Sequence, residues 1–246
     1  GESIERLMMD KFRILSLTDY DRVLYLDSDI MTRGSLDYLF ELSLNGTLKE
    51  NFAVAGANEP VTGSMFMLSP RDGDWERVLE IIQDKEKREV GTTEPNQFDA
   101  GIGWGQAFKG DDSFVMSDGS EGNTWDFPGA LSDKGLLYHW IKYEKKSASI
   151  LLSDTIEHWG AGKDGKLNRE KKNGIDAISS HGIQRECWSG TLRGKPCVAP
   201  HSDIIHFKGQ TKPWLAGPPS DLTEKTANST PRHYWFHILS IINKKM

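Results

Sequence analysis

Asp19–Phe40, DYDRVLYLDSDIMTRGSLDYLF, is the stretch around which the rest of the chain is read. Arg22–Leu26 is a short apolar run of the kind that forms a buried strand. It ends in Asp27-Ser28-Asp29. Beyond it, Ser35 is placed to cap a short helix carrying Leu36, Leu39 and Phe40. Side chains alternate along a strand, so Asp27 and Asp29 point to the same side. Strand ends in α/β sheets are where ligands bind. Two carboxylates held together there repel unless a cation or protons intervene. A divalent-metal site is one reading; an ordinary turn is the other, because Asp and Ser are common turn residues.

Working outward, the chain has 246 residues, enough for one large domain or two small ones. Its 37% hydrophobic and 27% charged residues are those of an ordinary globular protein. A net charge of −6 argues against a general nucleic-acid binder and against a polybasic membrane anchor. The longest strongly apolar stretch, near Tyr234–Ile242, is too short to span a bilayer and contains His237. No internal repeat or low-complexity block is visible. The chain starts at Gly1 and enters a helix-like pattern (Ile4, Leu7, Met8) at once, as a piece of something longer would. Cys187 and Cys197 form no C-x-x-C pair, which argues against zinc; a short-loop disulfide fits if the protein is lumenal. Asn45-Gly-Thr and Asn228-Ser-Thr fit the N-glycosylation pattern and lean the same way.

Phe12–Leu17 reads as a strand with Lys11 just before it, and 52–56 (FAVAG) and 64–68 (SMFML) as two more. Asp72 is placed to cap a helix running to about Lys85, with Trp75, Val78, Leu79 and Ile82 as its core face. Residues 86–130 lose periodicity and are rich in Gly, Asp and Asn. Their aromatics favour an ordered loop. Trp104 and Trp125 suit either stacking on a sugar ring or anchoring the loop to the core. Helical spacing resumes over 131–145, with Leu136, Leu137, Trp140 and Ile141 on the apolar face and Asp133 near its start. Residues 160–200 read as irregular, Asp203–Phe207 as a strand, 215–232 as linker, and Tyr234–Lys244 as a final amphipathic helix.

Three features then converge: a strand ending in D-x-D, a strand ending in His206 and followed by Gly and Lys, and Asp133 at a helix start. Carboxylates plus one imidazole suit Mn²⁺, a fairly hard cation that accepts one nitrogen. Gly209 lets backbone N–H groups approach a phosphate, and Lys212 supplies a point charge. Taken alone, a histidine such as His206 is more often a buried, hydrogen-bonded residue than a ligand.

On these residues the chain resembles the glycogenin-like retaining glycosyltransferases of family 8. The resemblance is carried by Lys11–Phe40, by Asp133-Lys-Gly-Leu-Leu, and by His206-Phe-Lys-Gly-Gln-Thr-Lys-Pro-Trp214. It implies an α/β fold of the GT-A, Rossmann-like type, a mixed sheet with flanking helices, whose first strands would lie upstream of Gly1. It implies Mn²⁺, with Mg²⁺ as the alternative, on Asp27, Asp29 and His206. It implies a UDP-sugar donor whose diphosphate meets Gly209 and Lys212, with Ser28 at the ribose and Lys11 near the donor sugar. Asp133 matches the Asp of the family's D-Q-G motif, which faces the transferred sugar and the acceptor; with Lys134 it forms the expected catalytic pair. The expected acceptor is a carbohydrate or glycoprotein.

By the same resemblance the catalytic domain would span 1–217, with insertions near 86–130 and 160–200, and 218–246 would be a linker and amphipathic helix. No nucleic-acid partner and no membrane segment within the chain are expected, and a homodimer is admissible. A Golgi lumen location, through an anchor outside this chain, is favoured over cytoplasm. The chain departs from the family at Lys134 in place of Gln, at Ala130 where Asp or Asn is common, and at Thr62-Gly-Ser64 in place of Asn-Ser-Gly. A cation at 134 would favour a sugar bearing a carboxylate, such as a uronic acid. Competing readings are a non-catalytic UDP- or carbohydrate-binding module and a haloacid-dehalogenase-like phosphatase. The second also places D-x-D after an apolar strand, but it wants Thr or Val where Met31 stands.

Overall fold

The computed structural model describes residues 8–32, 36–46, 48–55, 59–90, 98–108, 113–115, 121–153, 168–172, 175–180, 191–192, 195–196, 204–206, 213–223, 225 and 231–245; from Leu151 to His206 it describes backbone alone. The chain divides into two units. The first comprises Gly1–Asp27, Asp37–Leu152 and Asn168–Ser179; the second comprises Ser28–Leu36, Ser153–Leu167 and Ser180–Met246.

The first unit is α/β. Its mixed sheet is built on β1 (Val23–Leu26), β3 (Asn51–Val54), β4 (Met65–Leu68), β7 (Ala148–Ser153), β8 (Asn168–Lys172) and β9 (Ile175–Ser180), in the order β1-β4-β3-β7-β9-β8. β4 runs antiparallel to both β1 and β3, with Leu24 opposite Met67 and Phe52 opposite Met67, while β3 and β7 are parallel. Every residue of β3 and β4 is buried, as continuous apolar runs in a covered sheet should be. All four residues of β1, at the end of the strand order, are only half-buried. Around the sheet lie helices α1 (Asp37–Leu44), α2 (Asp74–Val90) and α3 (Asp133–His139).

The segment read as a strand over Phe12–Leu17 is instead a 3₁₀ helix, Asp10–Ser16. Met9, Phe12 and Leu15 are the buried residues, one in three. That is the 3₁₀ repeat rather than the alternation of a strand. Phe12 stacks on Phe66 of β4 at 6.0 Å between ring centroids.

α2 begins at Asp74, and its first turn is closed by the Arg77 N–H donating to the Gly73 carbonyl at 2.9 Å, so Gly73 rather than Asp72 stands at the cap position; the Asp74 carboxylate accepts the backbone N–H of Arg71 in the turn before the helix. It continues past Lys85 to Val90. Its buried stripe is Val78 and Ile81, with Trp75 and Ile82 against it, whereas Leu79 faces outward.

The insertion expected as a loop over 86–130 is ordered in its described parts by its aromatic residues. Trp104 and Trp125 are 2% and 1% exposed, which excludes sugar stacking and makes them core anchors. The Trp104 indole N–H donates to the Ala130 carbonyl at 2.6 Å, and that of Trp125 to the Gln106 carbonyl at 2.8 Å. Phe108, Phe114, Phe127 and Tyr138 complete the cluster in tilted and edge-on pairs, such as Phe108–Trp125 at 5.4 Å and Phe114–Phe127 at 5.4 Å. A two-residue ladder, β5 (Phe114–Val115) with β6 (Glu121–Gly122), closes the stretch.

α3 is buried along most of its length and runs into a π-turn, Trp140–Glu144. Leu136, Leu137, Trp140 and Ile141 are all inside, as their spacing predicts. The end of this segment is tied to α2. Lys145 Nζ donates to both Asp74 oxygens at 2.7 and 2.6 Å, and the Arg77 guanidinium forks onto Glu144 at 3.0 Å through both Nε and Nη2.

The second unit holds β2 (Ile30–Thr32) paired antiparallel with β12 (Ile204–His206), and the short ladder of β10 (Thr191–Leu192) with β11 (Lys195–Pro196). It also holds α4 (Pro213–Ala216) and α5 (Pro231–Lys245), where Trp214 meets Trp235 at 5.3 Å. The boundary expected at 217/218 falls within this unit. Residues 160–200, read as irregular, carry β8 to β11. β8, Asn-Arg-Glu-Lys-Lys, has no apolar residue, so no hydrophobic period could reveal it; its order comes from main-chain pairing with β9. Cys187 and Cys197 lie outside the described residues.

His139 yields a test of this core. Burial pushes its imidazole down to about 4, against the partial compensation of the Glu144 carboxylate 3.5 Å away. The unfolded chain takes up this proton near pH 6.5 and the folded chain near 4, so its neutral burial contributes fully above 6.5. That contribution is lost as pH falls from 6.5 to 4, on the order of 3 kcal/mol in all. Urea unfolding from pH 7 to pH 4 should show this loss in the parent. His139→Phe should flatten that limb, and an equally steep limb in the variant would exclude His139 as its source.

Candidate active site

The 3₁₀ helix turns Phe12 and Leu15 into the core, which leaves Lys11 directed at the end of β1. Its ammonium donates to three acceptors from three parts of the chain: Asp133 Oδ2 at 2.6 Å, the Gly63 carbonyl at 2.9 Å and Asp27 Oδ1 at 3.3 Å. An ammonium has three protons, so this set satisfies it. The Tyr25 ring lies 5.3 Å from the same nitrogen, and the Tyr25 hydroxyl donates to Asp27 Oδ1 at 2.9 Å. Lys11 is 9% exposed and Asp133 2%, whereas Asp27 is 31% exposed. The cluster therefore has a closed side at Asp133 and an open side at Asp27.

Asp133 is the first residue of α3, but its carboxylate does not cap that helix. Oδ2 goes to Lys11, and Oδ1 accepts the Ser132 hydroxyl at 3.2 Å. Gly63 is required for this approach, because a Cβ there would sit 2.0 Å from Asp133 Oδ2 and 3.2 Å from Lys11 Nζ. Lys134 turns elsewhere and donates to Glu59 Oε2 at 2.6 Å.

Four of the residues expected from sequence thus share the first unit: Lys11, Asp27, Asp133 and Lys134. Lys11, Asp27 and Asp133 meet directly; Lys134 has a separate carboxylate. Asp27 and Asp133 are far apart in sequence, and only the position of Lys11 brings them together.

Asp27 closes the first unit, and Ser28, exposed, and Asp29 open the second. In the second unit His206 is registered opposite Ile30, the residue after Asp29. Among the described residues no three acidic, His or Cys side chains gather as around an ion. The donor set fits a hard divalent cation in residue type, with two carboxylates and an imidazole, and the register brings the backbone of the imidazole residue next to that of one carboxylate. The His206 side chain, Gly209 and Lys212 lie outside what the structure describes.

Sequence reasoning missed Tyr25, Gly63 and Glu59. Tyr25 was legible, since it is two residues before Asp27 on a strand and so shares its face. Gly63 stood out as a glycine between Thr62 and Ser64, a signal of close approach. Glu59 gave no signal.

Lys11→Met should destabilise the chain by about 3–5 kcal/mol, because it leaves the buried Asp133 charge without its cation. Lys11→Met combined with Asp133→Asn should recover part of that loss, as measured by urea unfolding. Equal stability of parent and Lys11→Met would contradict the pairing.

Residues 2–97 match the family model for glycosyl transferase family 8. No curated protein matches the chain. That family has the GT-A fold, and the mixed sheet with flanking helices found here is of its α/β class. Its members generally use a divalent metal and a nucleotide sugar. Over the matched segment, which contains Lys11, Asp27, Asp29 and Gly63, this chain is similar to the family 8 glycosyltransferases.

Proposed function

We propose that the protein moves a hexose or related sugar from a UDP-sugar to a carbohydrate or glycoprotein acceptor, with retention at the anomeric carbon. The observation that carries this reading is the meeting of Asp27 and Asp133 at the Lys11 ammonium, where Lys11 and Asp27 lie on the matched segment and Asp27 opens the D-x-D at the end of β1.

Asp27, Asp29 and His206 are the residues that would hold Mn²⁺, or Mg²⁺ in its place. Such a cation supplies charge stabilisation for a departing diphosphate. Lys212 and the backbone at Gly209 are assigned to the diphosphate and Ser28 to the ribose. Lys11 restrains the Asp133 carboxylate in one orientation, so that it orients hydroxyls of the transferred sugar or the acceptor. The burial of Asp133 excludes water from its closed side. A Golgi lumen location is supported by the sequons at Asn45 and Asn228. No helix among the described residues is long and apolar enough to cross a membrane.

The binding-module alternative rested on the long aromatic loop and on Lys134; Trp104 and Trp125 are in the core and Lys134 is paired with Glu59. The phosphatase alternative has no counterpart to the family 8 match over residues 2–97.

Isothermal titration with UDP, with and without Mn²⁺, tests the proposal: binding should require the metal. Lys212→Ala should weaken UDP binding by about 1–3 kcal/mol, the scale of a hydrogen bond to a charged group. Metal-independent binding, or unchanged affinity in Lys212→Ala, would overturn the assigned diphosphate site.

A further inference from the structure

Beside the Lys11 cluster stands a second charge pair that no family pattern called for. Lys134 Nζ donates to Glu59 Oε2 at 2.6 Å, with side-chain exposures of 25% and 9%. The stem of Lys134 lies over Gly129, whose φ is +79°; a Cβ there would stand 2.8 Å from Lys134 Cδ. Lys134 is therefore seated along its length and does not project freely toward a ligand.

Glu59 belongs to the β3–β4 connection, four residues before Gly63. The same connection thus touches the first two residues of α3. Gly63 lies against Asp133, and Glu59 holds Lys134. The Gly63 contact with Asp133 is a close fit with almost no tolerance, given the 2.0 Å at which a Cβ would meet the carboxylate. A fit of that kind needs an attachment to hold it. The pair one residue away is such an attachment, with a short charge-assisted bond and a mostly buried carboxylate.

We infer that Glu59 and Lys134 form a latch that holds the β3–β4 connection on α3. They are positioning residues acting through Gly63 and Asp133, and Lys134 is not a receptor for a sugar carboxylate. The charge that was to favour a uronic acid is already matched within the protein. An acidic sugar would have to displace Glu59 and leave its carboxylate in a largely buried place without its cation. Only the activity part of this inference rests on the proposed transferase function.

The test uses the full chain with Lys134→Met, which keeps the stem and removes the charge, and Lys134→Arg, which keeps the pair. Amide hydrogen exchange should rise about tenfold over Val61–Met65 in Lys134→Met, while α2 exchanges as in the parent, marking local release rather than global loss. With UDP-glucose and UDP-glucuronate as donor probes, the parent should prefer UDP-glucose. Lys134→Met should lower kcat about tenfold with KM changed less than about twofold, well short of the ~100-fold cost of a 1 Å misplacement. Lys134→Arg should keep parent values in both measurements. Should Lys134→Met fail to fold, Glu59→Gln carries the same readouts. Parent-like exchange over Val61–Met65 in the uncharged variants would overturn the latch. So would a parent preference for UDP-glucuronate that Lys134→Met abolishes. A parent that neither binds UDP nor hydrolyses either probe would instead sink the transferase reading, and the exchange data would still decide the latch.

Discussion

One ammonium group joins the parts of the first unit. Lys11 Nζ meets the end of β1 at Asp27, the β3–β4 connection at Gly63 and the start of α3 at Asp133. Ions at this depth are costly to desolvate, and the arrangement persists because each charge has its partner and each proton an acceptor. Local structure follows from it. The segment before β1 is a 3₁₀ helix that buries Phe12 and Leu15 and leaves Lys11 at the site. Position 63 is glycine because Asp133 Oδ2 occupies the space of its side chain.

The rest of the unit keeps α3 where this cluster needs it. Its apolar residues are enclosed by the aromatic cluster of the insertion, and its far end is tied to α2 by Lys145–Asp74 and Arg77–Glu144. The Arg77 fork holds the Glu144 carboxyl below the ordinary carboxylate range. At its near end the Glu59–Lys134 pair lies beside the catalytic candidate. The helix is thus held by charge at both ends and by packing between. That is the form of support a site requires when its carboxylate must keep one orientation.

The long insertion shows how composition can suggest the wrong role for a residue. Glycine-rich sequence with scattered tryptophans suits a carbohydrate-binding loop. Here the indole N–H groups of Trp104 and Trp125 are spent on main-chain carbonyls, and the rings fill the core beside Tyr138. A small sheet with half-exposed β1 gains its apolar bulk from this insertion.

From sequence alone came the strands at β1, β3, β4 and β12, the apolar face of α3, and the candidates Lys11, Asp27 and Asp133. The elements and Asp27 were legible because apolar runs and helical spacing are local signals and D-x-D after a strand is a local motif; the roles of Lys11 and Asp133 came from the resemblance to family 8. The 3₁₀ helix at Lys11 was misread because its short apolar run suits two periods, and burial of every third residue chose between them. β8 was invisible because a charged strand is ordered by its neighbour's main chain. The joining of Asp27 to Asp133, the need for Gly63 and the pairing of Lys134 with Glu59 were decided by tertiary structure alone. Each depends on a distance between residues remote in sequence, and no pattern along one chain encodes which acceptor a long lysine side chain will reach.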